Sequence, residues 1–203
     1  MRSYGGCGHG IVVYNEGMND SDALRSALDE LAAVAGRIDE RQIAAACEAI
    51  AEAGNIVLYG CGREGLQMRG FAMRLFHLGL SAAVVGDMTA PPVGRGDLFL
   101  CSAGPGEIST VSALMKVARA AGARVLFLTA EPDTPATKLA DQVLVIPAQT
   151  MASDEGAKAT SVLPMGSVYE GAMFLLFEVM VLGLKERLGI SAEAMRANHT
   201  NLE

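Results

Sequence analysis

Five short apolar runs, set apart by stretches with the period of a helix, constrain this chain more than any other feature. They are Asn55–Gly60, Ser81–Gly86, Asp97–Ser102, Ala123–Thr129 and Gln142–Ile146. A strand with one wet face alternates apolar and polar residues, whereas a continuous apolar run suits a strand buried on both faces. Between the runs, Arg63–Gly79 carries Leu66, Gly70, Met73, Phe76 and His77 at helical spacing. Ile108–Gly122 reads as a second intervening helix and Thr134–Ala140 as a short one. Strands that alternate with helices imply a parallel sheet covered on both sides. The expected fold class is therefore α/β: a three-layer α/β/α sandwich around a five-stranded parallel sheet.

A helical arm precedes the sheet. It opens at Asn19-Asp-Ser-Asp22, whose side chains suit an N-cap, and continues over Ala23–Gly36 with Leu24, Leu28 and Leu31 in register. Asp39–Ala53 follows, with Ile43, Cys47 and Ile50 on one face. Beyond Pro147, Ala148–Leu163 is polar and small and reads as a long loop, a length often found in functional lids. Met165–Leu188 is a long apolar helix, and a tail runs from Ser191. Residues 19–203 are expected to form one domain, with the Gly-rich residues 1–18 as a flexible leader.

Composition excludes several classes. With 51% apolar residues and a net charge of −7 over 203 residues, the chain is not a disordered polymer. A pI near 5.0 argues against a basic nucleic-acid-binding surface. The most apolar run, Gly171–Leu184, is shorter than the roughly 20 residues a membrane span needs and holds Glu178. It reads as a core or interface helix. Met1–Gly17 lacks the apolar stretch of a secretory signal, so a cytoplasmic protein is expected. Cys7, Cys47, Cys61 and Cys101 match no zinc-binding spacing and read as reduced thiols. Only 19% of the residues are charged and the mean hydropathy is +0.30. One-sided coverage of a sheet does not need helices this apolar, so the arm and the long helix are expected to build a subunit interface.

Three motifs carry chemistry. Gly60-Cys-Gly-Arg-Glu-Gly65 lies between the first strand and its helix, and Asp87 follows the second strand. That spacing fits a dinucleotide site, and equally any tight turn into a helix whose free N–H groups attract an anion. Ser102-Ala-Gly-Pro-Gly-Glu-Ile-Ser-Thr110 is a second Gly-rich turn after the third strand. Both turns fall at the carboxyl edge of the sheet, where open α/β folds bind ligands, and two such loops suit a small polar ligand better than a dinucleotide. In Pro164-Met-Gly-Ser-Val-Tyr-Glu170, Glu170 enters an apolar helix. A carboxylate there has a raised pKa and can act as a general base, the alternative being a salt-bridged or solvent-facing Glu. Read alone, His199 in the tail is a solvated histidine, and His77 a packing or capping residue.

Taken together, the chain resembles the sugar isomerase (SIS) domain proteins, and within them the 6-phospho-3-hexuloisomerases. The resemblance rests on Gly60-Cys-Gly-Arg63, Ala72-Met-Arg-Leu-Phe-His-Leu-Gly79, Val85-Gly-Asp-Met-Thr-Ala-Pro91, Pro164-Met-Gly-Ser-x-x-Glu170 and the closing His199-Thr-Asn-Leu-Glu203. It implies a cofactor-free and metal-free tetramer that interconverts 3-keto and 2-keto hexose 6-phosphates through an enediolate. It also implies Glu170 as proton shuttle, Arg63 facing the substrate, and His199 reaching the site, in cis or from a neighbouring subunit. Gly62, Glu64, Thr89, Ser102, Ala103, Gly104, Gly106, Glu107 and Ser167 occupy the positions expected to line the substrate.

The chain departs from the family pattern. Glu64 stands where a Ser is usual, and Ala103, Pro105 and Ile108 replace three hydroxyl residues of the second loop. Pro105 also lacks an N–H, and Glu64 would repel a phosphate dianion. The substrate is thus either the usual hexulose phosphate or a related sugar suited to an Ala/Pro loop. The competing classes are a non-catalytic sugar-phosphate-binding module and an NAD(P)-binding protein. No nucleic-acid or membrane partner is expected.

Overall fold

A computed structural model of the chain describes residues 19–202; the expected leader lies outside the described residues. The sheet has five strands, all parallel, in the order β2-β1-β3-β4-β5. They are β1 Ile56–Gly60, β2 Ala82–Val84, β3 Leu98–Ser102, β4 Arg124–Thr129 and β5 Gln142–Val145. Successive side chains point to opposite faces. Ile56, Leu58, Leu100, Leu126 and Leu128 therefore enter one core, while Val57, Phe99, Cys101, Val125 and Phe127 enter the other. Both faces are dry, which is why the strands carry no alternation.

Helices α1 (Asp20–Ala35), α2 (Glu40–Ala51), α3 (Gly62–His77) and α5 (Ser167–Leu188) contribute to the first core, and α4 (Ser109–Ala120) to the second. The covering helix changes sides between β1, which leads into α3, and β3, which leads into α4. That reversal opens a crevice at the carboxyl ends of β1 and β3. The register Gly60↔Ser102 sets the two Gly-rich turns side by side across it.

The pieces read as an arm do not project. Asn19 caps α1 by accepting from the Asp22 amide, and both α1 and α2 pack against α5. From α2, Gln42 accepts a hydrogen bond from the Val145 amide at 2.9 Å and so covers the β5 edge of the sheet. The segment Pro164–Leu188 is long and apolar enough to cross a membrane by length and composition, yet its most apolar window is 50% buried. Phe177 stacks on Phe71 with ring centroids 4.2 Å apart, and Glu178 holds Arg74 at 2.9 Å.

Three expectations change. On α3 the stripe Leu66, Met73 and Phe76 faces outward, and the buried stripe is Met68, Phe71, Ala72 and Leu75. The helix is apolar on two faces, so periodicity alone finds a stripe without saying which one the sheet covers. The stretch 148–163 is not an open lid. Gln149 receives the Ser161 amide at 3.0 Å and donates to the Lys158 carbonyl, and Glu30 of α1 takes the Val162 amide at 2.8 Å. The tail contains a further helix, α6 (Ala192–Ala197), capped by Ser191.

Candidate functional site

The turn from β1 into α3 packs tightly. A Cβ on Gly65 would lie 2.6 Å from the Gly60 carbonyl oxygen, so only glycine lets the helix start this close to its strand. Arg63 and Glu64 then leave the first turn of α3 in different directions. Glu64 points inward and is 8% exposed. Its carboxylate accepts from the Ser102 hydroxyl at 2.5 Å and from the Gly104 amide at 3.0 Å. The Tyr169 hydroxyl lies 3.3 Å from the same Ser102 oxygen.

Arg63 crosses to the start of α5. Its guanidinium donates to the Ser167 hydroxyl at 2.6 Å and to the Met165 carbonyl, and stands 3.4 Å from Glu170 Oε1. The backbone that presents Glu170 is constrained. Met165 has φ 58°, the single positive-φ residue other than glycine among the described residues. Gly166 follows at φ 71°, and a Cβ there would lie 2.2 Å from the Met151 nitrogen. The loop 150–151 therefore fixes the entry of α5. Glu170 Oε2 is buried and has no hydrogen-bond partner among the described residues. One oxygen is thus steadied by Arg63 while the other is left free to take a proton.

Burial pushes the Glu170 carboxyl above its ordinary value of 4.5, against the pull of its own backbone amide and of Arg63. Burial also raises Glu64, opposed by the bonds from Ser102 and Gly104, with the Glu170 charge adding to the rise. A carboxyl raised by folding stabilises the folded state below its unfolded pKa, and that contribution is lost as pH rises through the folded pKa. Glu64→Gln removes the titration and keeps the shape. The melting temperature of the Gln variant is expected to gain on the wild type as pH rises above the ordinary carboxylate value of 4.5. A difference that stays constant with pH, read by scanning calorimetry, contradicts this.

The structure thus gathers Arg63, Glu64, Ser102, Gly104, Ser167 and Glu170, with Gly62, Ala103 and Gly106 in the enclosing turns. It leaves others outside the group. Glu107 is exposed beyond the second loop, and Thr89 lies in the exposed turn after β2. Asp87 pairs with Arg69 at 3.3 Å. The His199 ring sits 5.1 Å from that of His77 at the far end of α3. Fourteen residues of helix separate His77 from Arg63, about 20 Å. His199 does not join Glu170 within one chain. Sequence reasoning missed Tyr169 and the buried Thr150; the signal for Tyr169 was its place beside Glu170 on an apolar helix.

Comparison with known proteins bears on the family and the fold. The family model for the SIS domain matches residues 49–174. A 3-hexulose-6-phosphate isomerase of Mycobacterium gastri is 37% identical over 175 residues, covering 86% of this chain and 87% of the relative. The Bacillus subtilis protein of the same name is 31% identical, covering 92% of this chain and 100% of the relative. A solved structure from Methanococcus jannaschii, described as a hypothetical protein with an inferred 3-hexulose-6-phosphate isomerase function, superposes with TM-score 0.76 at 23% identity. That match covers 89% of this chain and 98% of the other, and shows the fold. The chain belongs to the SIS domain family, in its 6-phospho-3-hexuloisomerase-like group.

Proposed function

We propose that the protein is a sugar isomerase that moves the keto group of a hexulose between adjacent carbons, with Glu170 as the base. The observation that carries this reading is Glu170 itself: a carboxylate of raised basicity with one oxygen held near Arg63 and the other unpartnered. Glu170 removes the proton from the carbon next to the carbonyl. The C–H electrons form a carbon–carbon double bond and the carbonyl oxygen becomes an enediolate oxygen. The Arg63 guanidinium and the Ser167 hydroxyl are the nearby donors for that charge. Glu170 returns the proton to the former carbonyl carbon, and a hydroxyl proton moves between the two oxygens. All electrons stay within the sugar, so the step calls for no hydride acceptor. The names of the curated relatives support the same chemistry.

Glu170→Gln is expected to abolish exchange of substrate hydrogen with solvent deuterium while leaving ligand binding intact; exchange by the variant at the wild-type rate contradicts the reading.

The site is further proposed to be completed in a homotetramer in the cytoplasm, without nucleic-acid or membrane partners. Leu24 and Leu28 of α1 and Phe174, Val179 and Leu182 of α5 are exposed large apolar residues. A groove of about 690 Å³ runs between them, lined by Leu31, Ile43, Leu175 and Val179. Assembly over this face would cover it and allow His199 to act across subunits. Mixing Glu170→Gln chains with His199→Ala chains, each inactive alone, then regains activity in hybrid sites that hold both native residues. No recovery after co-refolding contradicts a trans role, and a wild-type mass of 21.1 kDa by light scattering contradicts the oligomer.

A further inference from the structure

Over residues 102–106, the turn after β3 has almost no donors left for a ligand. The Ala103 amide donates to the Leu128 carbonyl at 3.0 Å, and the Gly106 amide to the Ala103 carbonyl at 2.9 Å. Pro105 has no N–H. The two remaining donors of this stretch, the Gly104 amide and the Ser102 hydroxyl, both serve the Glu64 carboxylate, which leaves only the amides that open α4. Glu64 comes from the opposite wall of the crevice, so a negative group supplied by the chain itself already fills the place where this turn would hold an anion.

We propose that Glu64 is a built-in occupant of the β3–α4 turn, and that the site takes a ketose presenting an uncharged hydroxyl there rather than a phosphate ester. This rests on the isomerase reading above and names its substrate class.

Charge points the same way. Arg63 is engaged by Glu170, Ser167 and the Met165 carbonyl, and among the described residues no second Lys or Arg pairs with Glu64 or Glu170. A phosphate monoester would bring roughly two further negative charges beside two carboxylates served by one cation. A sugar hydroxyl can instead donate to a lone pair that Glu64 still has, since an ionised carboxylate offers about four acceptor positions. Burial favours the protonated form of Glu64, and that form also offers a phosphate no positive charge.

The test compares D-fructose with D-fructose 6-phosphate as substrates for solvent-deuterium exchange. It uses the wild type, Glu64→Gln, which keeps the shape, and Glu64→Ser, which opens the turn. The wild type is expected to exchange the neutral ketose with the higher kcat/KM. Both variants are expected to shift the preference toward the phosphate ester by about tenfold or more. Calorimetric titration with inorganic phosphate gives an arm independent of turnover, and the variants should bind it about tenfold more tightly than the wild type. The proposal is overturned if the wild type prefers the phosphate ester, or if the variants do not shift the preference toward it. It is also overturned if phosphate binds wild type and variants alike, for instance at the first turn of α4. Exchange with neither sugar in the wild type would contradict the isomerase reading, while the phosphate titration would still decide who occupies the turn.

Discussion

Glu170→Gln is expected to lower kcat by about 10²–10⁴-fold, the range for removing a positioned general base. The substitution keeps the shape of a side chain that is 15% exposed and leaves an oxygen to face Arg63. Ligand binding and melting temperature should therefore change little while turnover collapses. The wild-type pH profile should agree. The ionised carboxyl is the base, so kcat/KM is expected to rise with pH and level off above an inflection higher than the ordinary carboxylate value of 4.5. A Gln variant within tenfold of the wild type would remove Glu170 from the chemistry. A variant that fails to bind ligand would show that the carboxylate holds the sugar rather than transferring its proton.

The second large effect is on stability. Phe177 is 3% exposed and stacks on Phe71 with the rings 4° from parallel, so it joins α5 to α3 behind the site. Phe177→Ala is expected to cost about 3–5 kcal/mol, from lost burial plus an unfilled cavity. For a domain of this size each kcal/mol moves the melting temperature by about 2–4 °C, so a fall of roughly 10 °C is expected. Met88→Ala serves as the control, because Met88 is 96% exposed and such sites usually change stability by about 0.5 kcal/mol or less. A Phe177 variant that melts with the control would mean that the two helices are not held together as described.

The fold was legible because its cause is local. Each strand is buried on both faces, so runs such as Leu98-Phe-Leu-Cys-Ser102 announce themselves without partners. Glu170 was legible for a related reason, as a carboxylate in an apolar helix stands out from its own neighbours. Glu64 was legible only in part. Its conflict with a phosphate follows from charge, but its contacts with Ser102 and Gly104 span 38 and 40 residues and depend on the β1–β3 register. The available signal was compensation: an acid gained in one loop and hydroxyls lost from the other. The α3 face was misread because Leu66 and Phe76 keep helical spacing as faithfully as Met68 and Leu75 do. The pinning of 148–163 was hidden because it depends on Glu30, over a hundred residues away in the chain.

Proton transfer at a carbon by Glu170 is the step on which the reaction depends. Deuterium incorporation from solvent into a ketohexose, followed by NMR with wild type and Glu170→Gln, tests it most directly. Incorporation is expected at the carbon next to the carbonyl with the wild type and none with the variant, at ligand occupancies shown to be equal. Incorporation by both proteins at the same rate, or by neither on any ketose with or without phosphate, would contradict it.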